Sequence, residues 1–359
     1  MSEWRERPLG DLVTLQRGFD LPARERVPGA YRIMSAGESY DTHNVARVGG
    51  PGFVIGRSTN IGLPQWSHGD FWPLNTTLFA KDFHGNDPRW LFHVFETIDL
   101  SGYNSGSAQP TLNRNYIASI PIMVPPLATQ HAIAEVLGAL DDKIAANRRV
   151  VELGHDLGTT ICKSAEAKPR PLINVADIVM GTSPRGDQLN ELGSGVPFFQ
   201  GVRDFGSVFP STRVYTSSPQ RMATAGSILF SVRAPVGQTN LAVGDVCIGR
   251  GLAALHTQEQ PATLYFSLKA YPEVWDIYSG GGTVFSSITG KELQQTLVPM
   301  PDAFMTSDVE LKLSALLKRL VAAARENQIL ASTRDELLPL LMSGRITVGA
   351  ASSRVEEVV

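Results

Sequence analysis

The segment PPLATQHAIAEVLGALDDKIAANRRVVELGHDL, residues 125–157, decides the fold of this chain. Apolar residues recur along it at alternating steps of four and three, with an asparagine in one slot: Ile133, Leu137, Leu140, Ile144, Asn147 and Val151. This spacing places the side chains on one face of a helix and is typical of a helix that packs against another helix. The sequence therefore predicts one long helix over residues 125–168.

A second segment near the C terminus repeats this pattern when the numbering is shifted by 180. The matching positions are Leu313, Leu317, Leu320, Ala324, Asn327 and Ala331, followed by Leu337 and Leu341, which match Leu157 and Ile161. We predict a second long helix over residues 304–346. Two such helices bury their stripes most simply against each other as an antiparallel pair, like a coiled coil. We expect the amides of Asn147 and Asn327 to bind each other and fix the register of the pair.

The regions before each helix, residues 1–124 and 169–303, consist of short apolar runs separated by Gly, Pro, Asn and Ser. Such runs predict short strands joined by turns, with minor helices near residues 89–97 and 261–271. The two regions also match each other. PLGDLVTLQRG (8–18) aligns with PLINVADIVMG (171–181), and PGFVIGRSTNIG (51–62) with AGSILFSVRAPVG (225–237). The sequence predicts an α+β protein in which one module of about 180 residues occurs twice with pseudo-two-fold symmetry, followed by a mobile tail over residues 347–359.

The composition indicates an ordinary folded protein. Hydrophobic residues make up 43% and charged residues 19% of the 359 residues, and the formal net charge is -3. Such a charge does not by itself indicate a nucleic-acid partner. The two cysteines, Cys162 and Cys247, lie far apart and suit a reducing compartment. No basic start is followed by an apolar run, and no membrane-length apolar stretch occurs, so we expect a cytoplasmic protein without a membrane partner.

One family shares the most specific of these motifs. The segment IPIMVPPLATQHAIAEVLGALDDKIAANRRVVELGHDL and the upstream SGSAQPTLN resemble the specificity subunit of type I restriction-modification systems, which has a Pro-Leu-x-x-Gln entry into its central helix. The resemblance extends over nearly the whole chain. It implies that residues 1–124 and 169–303 are target-recognition domains, each binding one half of a split site in double-stranded DNA. The upstream motif has no close copy in the second region, so we expect the two domains to recognise different sequences.

The resemblance also implies the partners. The two helices would act as a spacer and as a docking surface for two methyltransferase subunits, and restriction subunits would complete the complex. S-adenosylmethionine, ATP and Mg are expected on those partner subunits, with no cofactor or metal bound by this chain.

Candidate DNA-binding residues are polar side chains that directly follow apolar strands, because loops on rigid strands can reach base edges. They are Arg57, Ser58, Thr59, Asn60, Gln65 and Trp66 in the first region, and Ser231, Arg233, Gln238, Thr239 and Asn240 in the second. The alignment places Arg57 and Arg233 at equivalent positions. A further set follows glycine-rich turns, where main-chain amides can approach phosphate: Ser107, Gln109, Thr111, Thr283 and Ser286. The alternative for each residue is an ordinary solvated turn.

The sequence contains no motif for catalysis. A methyltransferase would need a glycine-rich cofactor loop and an Asn-Pro-Pro-aromatic motif, and the run GGGT at residues 280–283 lacks the Gly-Lys-Ser or Gly-Lys-Thr of a P-loop. Asp156, Glu166 and Lys168 have the residue types of a metal-dependent nuclease but lie at a helix end and in a linker, not on adjacent strands. We predict a non-catalytic subunit. The alternatives are a scaffold protein without DNA sequence preference and a stand-alone nuclease.

A paired helix that acts as a spacer should set the gap between the two half-sites. Insertion of about four residues, one helical turn, near Asn147 should change the preferred gap without changing the sequence of either half-site. Methylome sequencing of the altered strain measures both, and an unchanged gap would contradict the spacer role.

Overall fold

The computed structural model describes residues 4–37, 41–103, 111–278, 287–301 and 306–357. The chain forms two compact units, one made of Met1–Lys143 with Ile329–Val359 and the other of Ile144–Gln328. The boundary falls inside both long helices. Each unit therefore contains one β-rich region and a part of each helix, whereas the division predicted from sequence separates the helices from the β-rich regions.

The first unit is built from short strands and two short helices before the first long helix. Its strands are β1 (Arg5–Pro8), β2 (Thr14–Arg17), β3 (Tyr31–Met34), β4 (Thr42–His43), β5 (Gly52–Gly56), β6 (Pro64–Ser67), β7 (Phe71–Pro73), β8 (Thr77–Asp82) and β9 (Pro121–Val124). Helices α1 (Pro88–Thr97) and α2 (Arg114–Ile117) precede α3 (Leu127–Ser164). The strands pair in the orders β2-β8-β5-β6, β4-β3-β7 and β1-β9.

The second unit has the same plan with one larger sheet. Its strands are β10 (Ala167–Pro171), β11 (Asp177–Met180), β12 (Leu189–Asn190), β13 (Val196–Phe199), β14 (Val214–Thr216), β15 (Met222–Ala223), β16 (Ile228–Ser231), β17 (Thr239–Leu241), β18 (Val246–Ile248), β19 (Leu252–His256) and β20 (Leu297–Pro301). The helices are α4 (Pro261–Ala270), α5 (Glu273–Asp276), α6 (Gly290–Gln295), α7 (Thr306–Met342) and α8 (Val348–Glu356), of which α8 and the end of α7 belong to the first unit. The strand orders are β11-β19-β16-β17, β12-β14-β13-β18-β15 and β10-β20.

The two four-stranded sheets correspond strand for strand. In the first unit Leu78 of β8 lies between Arg17 of β2 and Ile55 of β5. In the second unit Ala253 of β19 lies in the same way between Met180 of β11 and Phe230 of β16. This shared register confirms the predicted internal repeat. The predicted minor helices are confirmed as α1 and α4.

The long helices α3 and α7 pair along the predicted stripe. In the second unit the Nδ2 of Asn147 donates to Glu326 at 2.7 Å, and a Cβ on Gly154 would lie 2.3 Å from the Leu320 side chain. Partner numbers fall along α7 as they rise along α3, so the pairing is antiparallel, as predicted. The predicted stripe is buried at Ile133, Leu137, Leu140, Ile144, Val151, Leu313, Leu320, Leu337 and Leu341.

The contacts along this seam differ from the prediction in two respects. Asn327 donates its Nδ2 to the carbonyl of Ile144 at 3.2 Å, so the two asparagines cross-link the helices without binding each other. The α7 seam also runs through Ala323 and Leu330, which are 0% and 1% exposed, while the predicted Leu317 and Ala331 are half-buried. Antiparallel side chains interleave, so the residue opposite an asparagine belongs to a neighbouring turn. Copying the α3 positions onto α7 therefore places Leu317 and Ala331 at the seam and overlooks Ala323 and Leu330.

Each long helix also holds the start of one short helix. The Oε1 of Gln130 accepts from the main-chain N–H of Asp87, the residue that caps α1, at 3.0 Å. The carboxylate of Glu310, at the matching position 180 residues later, accepts from the N–H groups of Ala262 and Thr263 at 3.2 and 2.7 Å, where α4 begins. The helix-start amides lack intrahelical partners, so these contacts satisfy them. The Gln of the Pro-Leu-x-x-Gln motif thus has a structural role.

A charge cluster joins three helices inside the first unit. The guanidinium of Arg334 donates to Asp141 at 2.8 Å through Nε and forms a second ion pair with Glu96. Burial alone would raise the pKa of Glu96, but the hydrogen bond and charge of His93 and the charge of Arg334 outweigh burial and hold this pKa below its usual value. The cluster fixes α1 against the ends of α3 and α7.

The C-terminal residues form a helix where the sequence predicts a mobile tail. The hydroxyl of Thr347 accepts from the N–H of Ala350 at 3.3 Å and caps α8, and Ala351 is fully buried. Arg354 pairs with Glu336 of α7. The segment is too short and too rich in Ala and Ser to show a helical stripe, and its contacts with α7 stabilise it.

None of the helices in the described ranges is long and apolar enough to cross a membrane.

The Glu310 contact predicts a graded loss of stability. Glu310→Ala should lower the free energy of unfolding by about 1–3 kcal/mol, because two amides at the start of α4 lose their acceptor. Glu310→Gln keeps a carbonyl oxygen, as Gln130 does, and should cost clearly less. Urea unfolding of both variants measures the difference, and equal losses would argue against the hydrogen bonds as the cause.

Candidate nucleic-acid interface

The loop that joins β5 to β6 carries four of the predicted DNA-binding residues of the first unit, Arg57, Ser58, Thr59 and Asn60. The N–H of Gly62 donates to the carbonyl of Gly56 at 2.9 Å, and the N–H of Gly56 donates to the carbonyl of Leu63 at 3.0 Å. Gly62 has a φ of +79°, and a Cβ there would lie 2.6 Å from Leu100. Only glycine fits this position without strain, so the loop has a fixed conformation.

The loop that joins β16 to β17 in the second unit has the same hydrogen bonds. The N–H of Gly237 donates to the carbonyl of Ser231 at 3.1 Å, and the N–H of Ser231 donates to Gln238 at 2.9 Å. Gly237 has a φ of +95° and lies against Trp275. Every one of these positions is 175 residues from its counterpart in the first loop. The two loops are therefore one backbone design used twice.

This correspondence corrects the pairing of arginines expected from the sequence. A shift of 175 matches Arg57 with Val232 and Arg233 with Ser58, so the two arginines are one position apart. The sheet register gives the same match, because the β5 and β16 strands end one residue before Arg57 and Val232. A further main-chain contact supports it, since Leu112 donates to Arg57 at 2.8 Å and Ile288 donates to Val232 at 3.0 Å. A shift of one residue along an extended backbone turns the side chain to the other face.

The loop residues differ in exposure. Thr59 and Asn60 are exposed at the tip of the first loop, with Ser58 half-buried beside them. In the second loop Arg233 and Gln238 are exposed. These five side chains carry donors or acceptors at the surface of a rigid loop, which is the arrangement needed for contacts with base edges.

Three predicted residues of the second unit are buried, and the side chains of two of them, Ser231 and Asn240, hold the loop in place. The hydroxyl of Ser231 donates to the carbonyl of Pro235 at 2.6 Å. The amide of Asn240 accepts from the N–H of Gly206 at 3.0 Å and donates to its carbonyl at 2.9 Å. Thr239 is 4% exposed, and its carbonyl accepts from the ammonium of Lys269, whose pKa burial lowers to about 8. Ser231 and Asn240 thus satisfy main-chain groups, as a polar residue in a short apolar run can, while the Thr239 hydroxyl has no hydrogen-bond partner among the described residues. The burial of all three side chains argues against contact with DNA.

Two predicted residues of the first unit also have structural roles. The Nε2 of Gln65 donates to the carbonyl of Ser35 at 2.7 Å. Trp66 packs against Phe92, with ring centroids 5.7 Å apart, and the guanidinium of Arg89 lies 4.9 Å from its ring. Both belong to β6 itself, so their side chains contact neighbouring elements of the unit. Ser107, Gln109, Thr283 and Ser286 lie outside the described residues.

An open cavity of about 570 Å³ lies beside the first loop. Arg17 at the end of β2, Arg57 after β5 and Arg114 at the start of α2 line it, together with Gln16, Thr111 and Asn113. Arg57 and Thr111 were predicted from the sequence, whereas Arg17 and Arg114 were not. Arg17 could have been found, because it lies directly before Gly18 in the segment 8–18 that aligns with residues 171–181, where Met180 takes its place.

Comparisons with known proteins agree with this architecture. Residues 1–152 match the family model of the type I restriction modification DNA specificity domain. The type I restriction enzyme MjaX specificity subunit of Methanocaldococcus jannaschii is 28% identical over 305 residues, which cover 77% of this chain and 72% of that protein. A type I restriction enzyme specificity subunit of Haemophilus influenzae is 29% identical over 76 residues, or 21% of this chain and 20% of that protein.

A solved structure shares the fold. The crystal structure of a type I restriction-modification S subunit from M. genitalium matches with a TM-score of 0.67 at 16% sequence identity, covering 94% of this chain and 96% of that chain. The duplicated β-rich module with two paired long helices is thus the fold of that subunit. By sequence, residues 1–152 of this chain are similar to the type I restriction modification DNA specificity domain, and the chain shares the fold of the M. genitalium S subunit.

The structural role of Asn240 can be separated from the surface role of Arg233. Asn240→Ala should lower the free energy of unfolding by about 1–3 kcal/mol, because both main-chain groups of Gly206 lose their partner. Arg233→Ala, at an exposed position, should change it by no more than about 0.5 kcal/mol. Urea unfolding measures both, and a neutral Asn240→Ala would mean that the loop does not need this amide.

Proposed function

We propose that this chain is the non-catalytic, sequence-specific DNA-binding subunit of a type I restriction-modification complex. It recognises a bipartite, asymmetric site in double-stranded DNA and directs methyltransferase and restriction subunits to it. The observation that carries the proposal is the repeated loop: one backbone conformation, fixed by the same hydrogen bonds at Gly56–Leu63 and Ser231–Gln238, presents different side chains in the two units. Two loops with the same backbone conformation and different exposed side chains suit two half-sites of different sequence.

The exposed side chains suggest different base contacts in the two domains. Arg233 can bind the O6 and N7 of guanine with two hydrogen bonds, and Gln238 can bind adenine in the same way. Thr59 and Asn60 offer shorter donors and acceptors in the first domain. The second half-site should therefore depend on an arginine contact that the first loop lacks at its tip.

The long helices offer a surface for the partner subunits. Leu153 and Leu157 lie one turn apart on α3 and are 49% and 52% exposed. Large apolar side chains at this spacing on an exposed helix face favour packing against another helix. We assign this face to a methyltransferase subunit, and we expect two such subunits in the complex. We assign S-adenosylmethionine, ATP and Mg to the partner subunits.

Modified-base mapping of a strain with and without the gene tests the proposal as a whole. We expect methylation of one split motif to disappear when the gene is deleted. A purified complex with no sequence preference on DNA would instead favour a scaffold, and metal-dependent cleavage by this chain alone would favour a nuclease.

The two loops should control separate halves of the motif. Arg233→Ala should relax one base of one half-site, at a cost of about 1–3 kcal/mol in discrimination, and leave the other half unchanged. Asn60→Gly should affect only the opposite half; glycine is chosen because Asn60 has a φ of +47°. Methylome sequencing measures both variants, and a change in the same half-site for both would refute the assignment of one half to each domain.

A further inference from the structure

The arginine-lined cavity of the first unit is not explained by packing. The Nη1 of Arg57 donates to the carbonyl of Asn75 at 3.4 Å, and the Nη1 of Arg114 donates to the carbonyl of Leu15 at 2.9 Å. These acceptors are neutral. Within the described part of the chain, neither guanidinium forms an ion pair with a carboxylate, and Arg17 has one partner, Asp20, at 3.5 Å. The cavity therefore holds an excess of positive charge in fixed positions.

Such a site is suited to an anion. Guanidinium groups held by main-chain carbonyls still have free N–H groups, and their planar fork matches two oxygen atoms of one phosphate. Arg57 is half-buried, so part of the cost of desolvating its charge has already been met in the folded protein. The hydroxyl of Thr111 and the amide of Gln16 line the same cavity and can contribute weaker hydrogen bonds.

The shape of the site distinguishes phosphate from base. Phosphate groups are the outermost groups of a DNA duplex and can enter a concavity, whereas base edges lie at the floor of a groove and need side chains that protrude. Arg57 lines a concavity, while Thr59 and Asn60 are exposed at the loop tip. Within residues 57–60, Arg57 is thus placed to contact a phosphate, and Thr59 and Asn60 are placed to contact bases.

The described residues of the second unit form no such site. The register of the sheets matches Arg17 with Met180, and the loop hydrogen bonds match Arg57 with Val232. Arg114 follows the helix cap Asn113, as Gly290 follows the helix cap Thr289. A Cβ on Gly290 would already lie 3.1 Å from Met180, so apolar atoms occupy the equivalent place.

We propose that the cavity formed by Arg17, Arg57 and Arg114 binds one backbone phosphate of the DNA, and that this anchor exists only in the first domain. The proposal rests on the DNA-binding function proposed above and adds an asymmetry to it. The first domain holds the duplex through a charged pocket, and the second domain relies on its loop contacts.

The test uses the complete complex with its methyltransferase subunits and a duplex that carries the methylated motif. Binding constants are measured between about 50 and 200 mM salt for the wild type, Arg57→Ala, Arg114→Ala and the double variant. We expect each single variant to weaken binding at low salt, and the double variant to reduce the slope of log K against log salt by about one, because one phosphate contact is lost. The methylated motif should keep its sequence.

Arg57→Lys is the matched control, because it keeps the charge and loses the planar fork. A phosphate contact predicts that the lysine variant keeps most of the salt slope. If instead Arg57 recognised a base, the lysine and alanine variants would both relax one position of the motif at an unchanged slope, which would overturn the proposal.

Two further results would also overturn it. Unchanged affinity and slope in the double variant would show that the cavity does not bind DNA. An equal loss of slope for Val232→Ala, the matched position in the second domain, would show that the effect is not specific to the cavity. If Arg57→Ala fails to fold, the exposed Arg114 tests the site alone. Failure of the underlying function would look different, because the wild-type complex itself would then show no sequence preference.

Discussion

The pairing of α3 with α7 is the contact on which the rest of this structure depends. Each fully buried leucine of the seam, such as Leu137 or Leu320, contributes roughly 1.5–3 kcal/mol of hydrophobic stabilisation. The polar cross-links at Asn147 and Asn327 add little by comparison but allow only one register, because any slip would leave buried amides without partners. Both β-rich regions are built around this pair, since each compact unit includes a part of each helix.

The β-rich regions are attached to the long helices by polar contacts as well as by apolar packing. Gln130 and Glu310 occupy matching positions and each bind the start of a short helix that begins with proline. The chemistry differs, an amide in one case and a carboxylate in the other, while the geometry is kept. Because either an amide or a carboxylate can accept these hydrogen bonds, the second helix does not need the glutamine of the Pro-Leu-x-x-Gln motif.

The loops that follow β5 and β16 also share one backbone conformation and differ in their side chains. Gly62 and Gly237 are both required by their positive φ and by the side chains packed against them. The residues between the fixed hydrogen bonds are free to differ, and they do: Ser58 stands where the second loop has Arg233.

The amino-acid sequence by itself determined the repeated module, the two long helices and their antiparallel pairing. These follow from periodic apolar spacing and local motifs, which are visible along the chain. Only the tertiary structure decided which polar residues support the loops and which are exposed. Asn240 and Arg233 are both polar residues near a strand end. Asn240 is held in the interior because it binds the main chain of Gly206, which is distant in sequence. The cavity of Arg17, Arg57 and Arg114 was hidden for the same reason, because its walls come from four segments that are distant in sequence and that only the folded chain brings together.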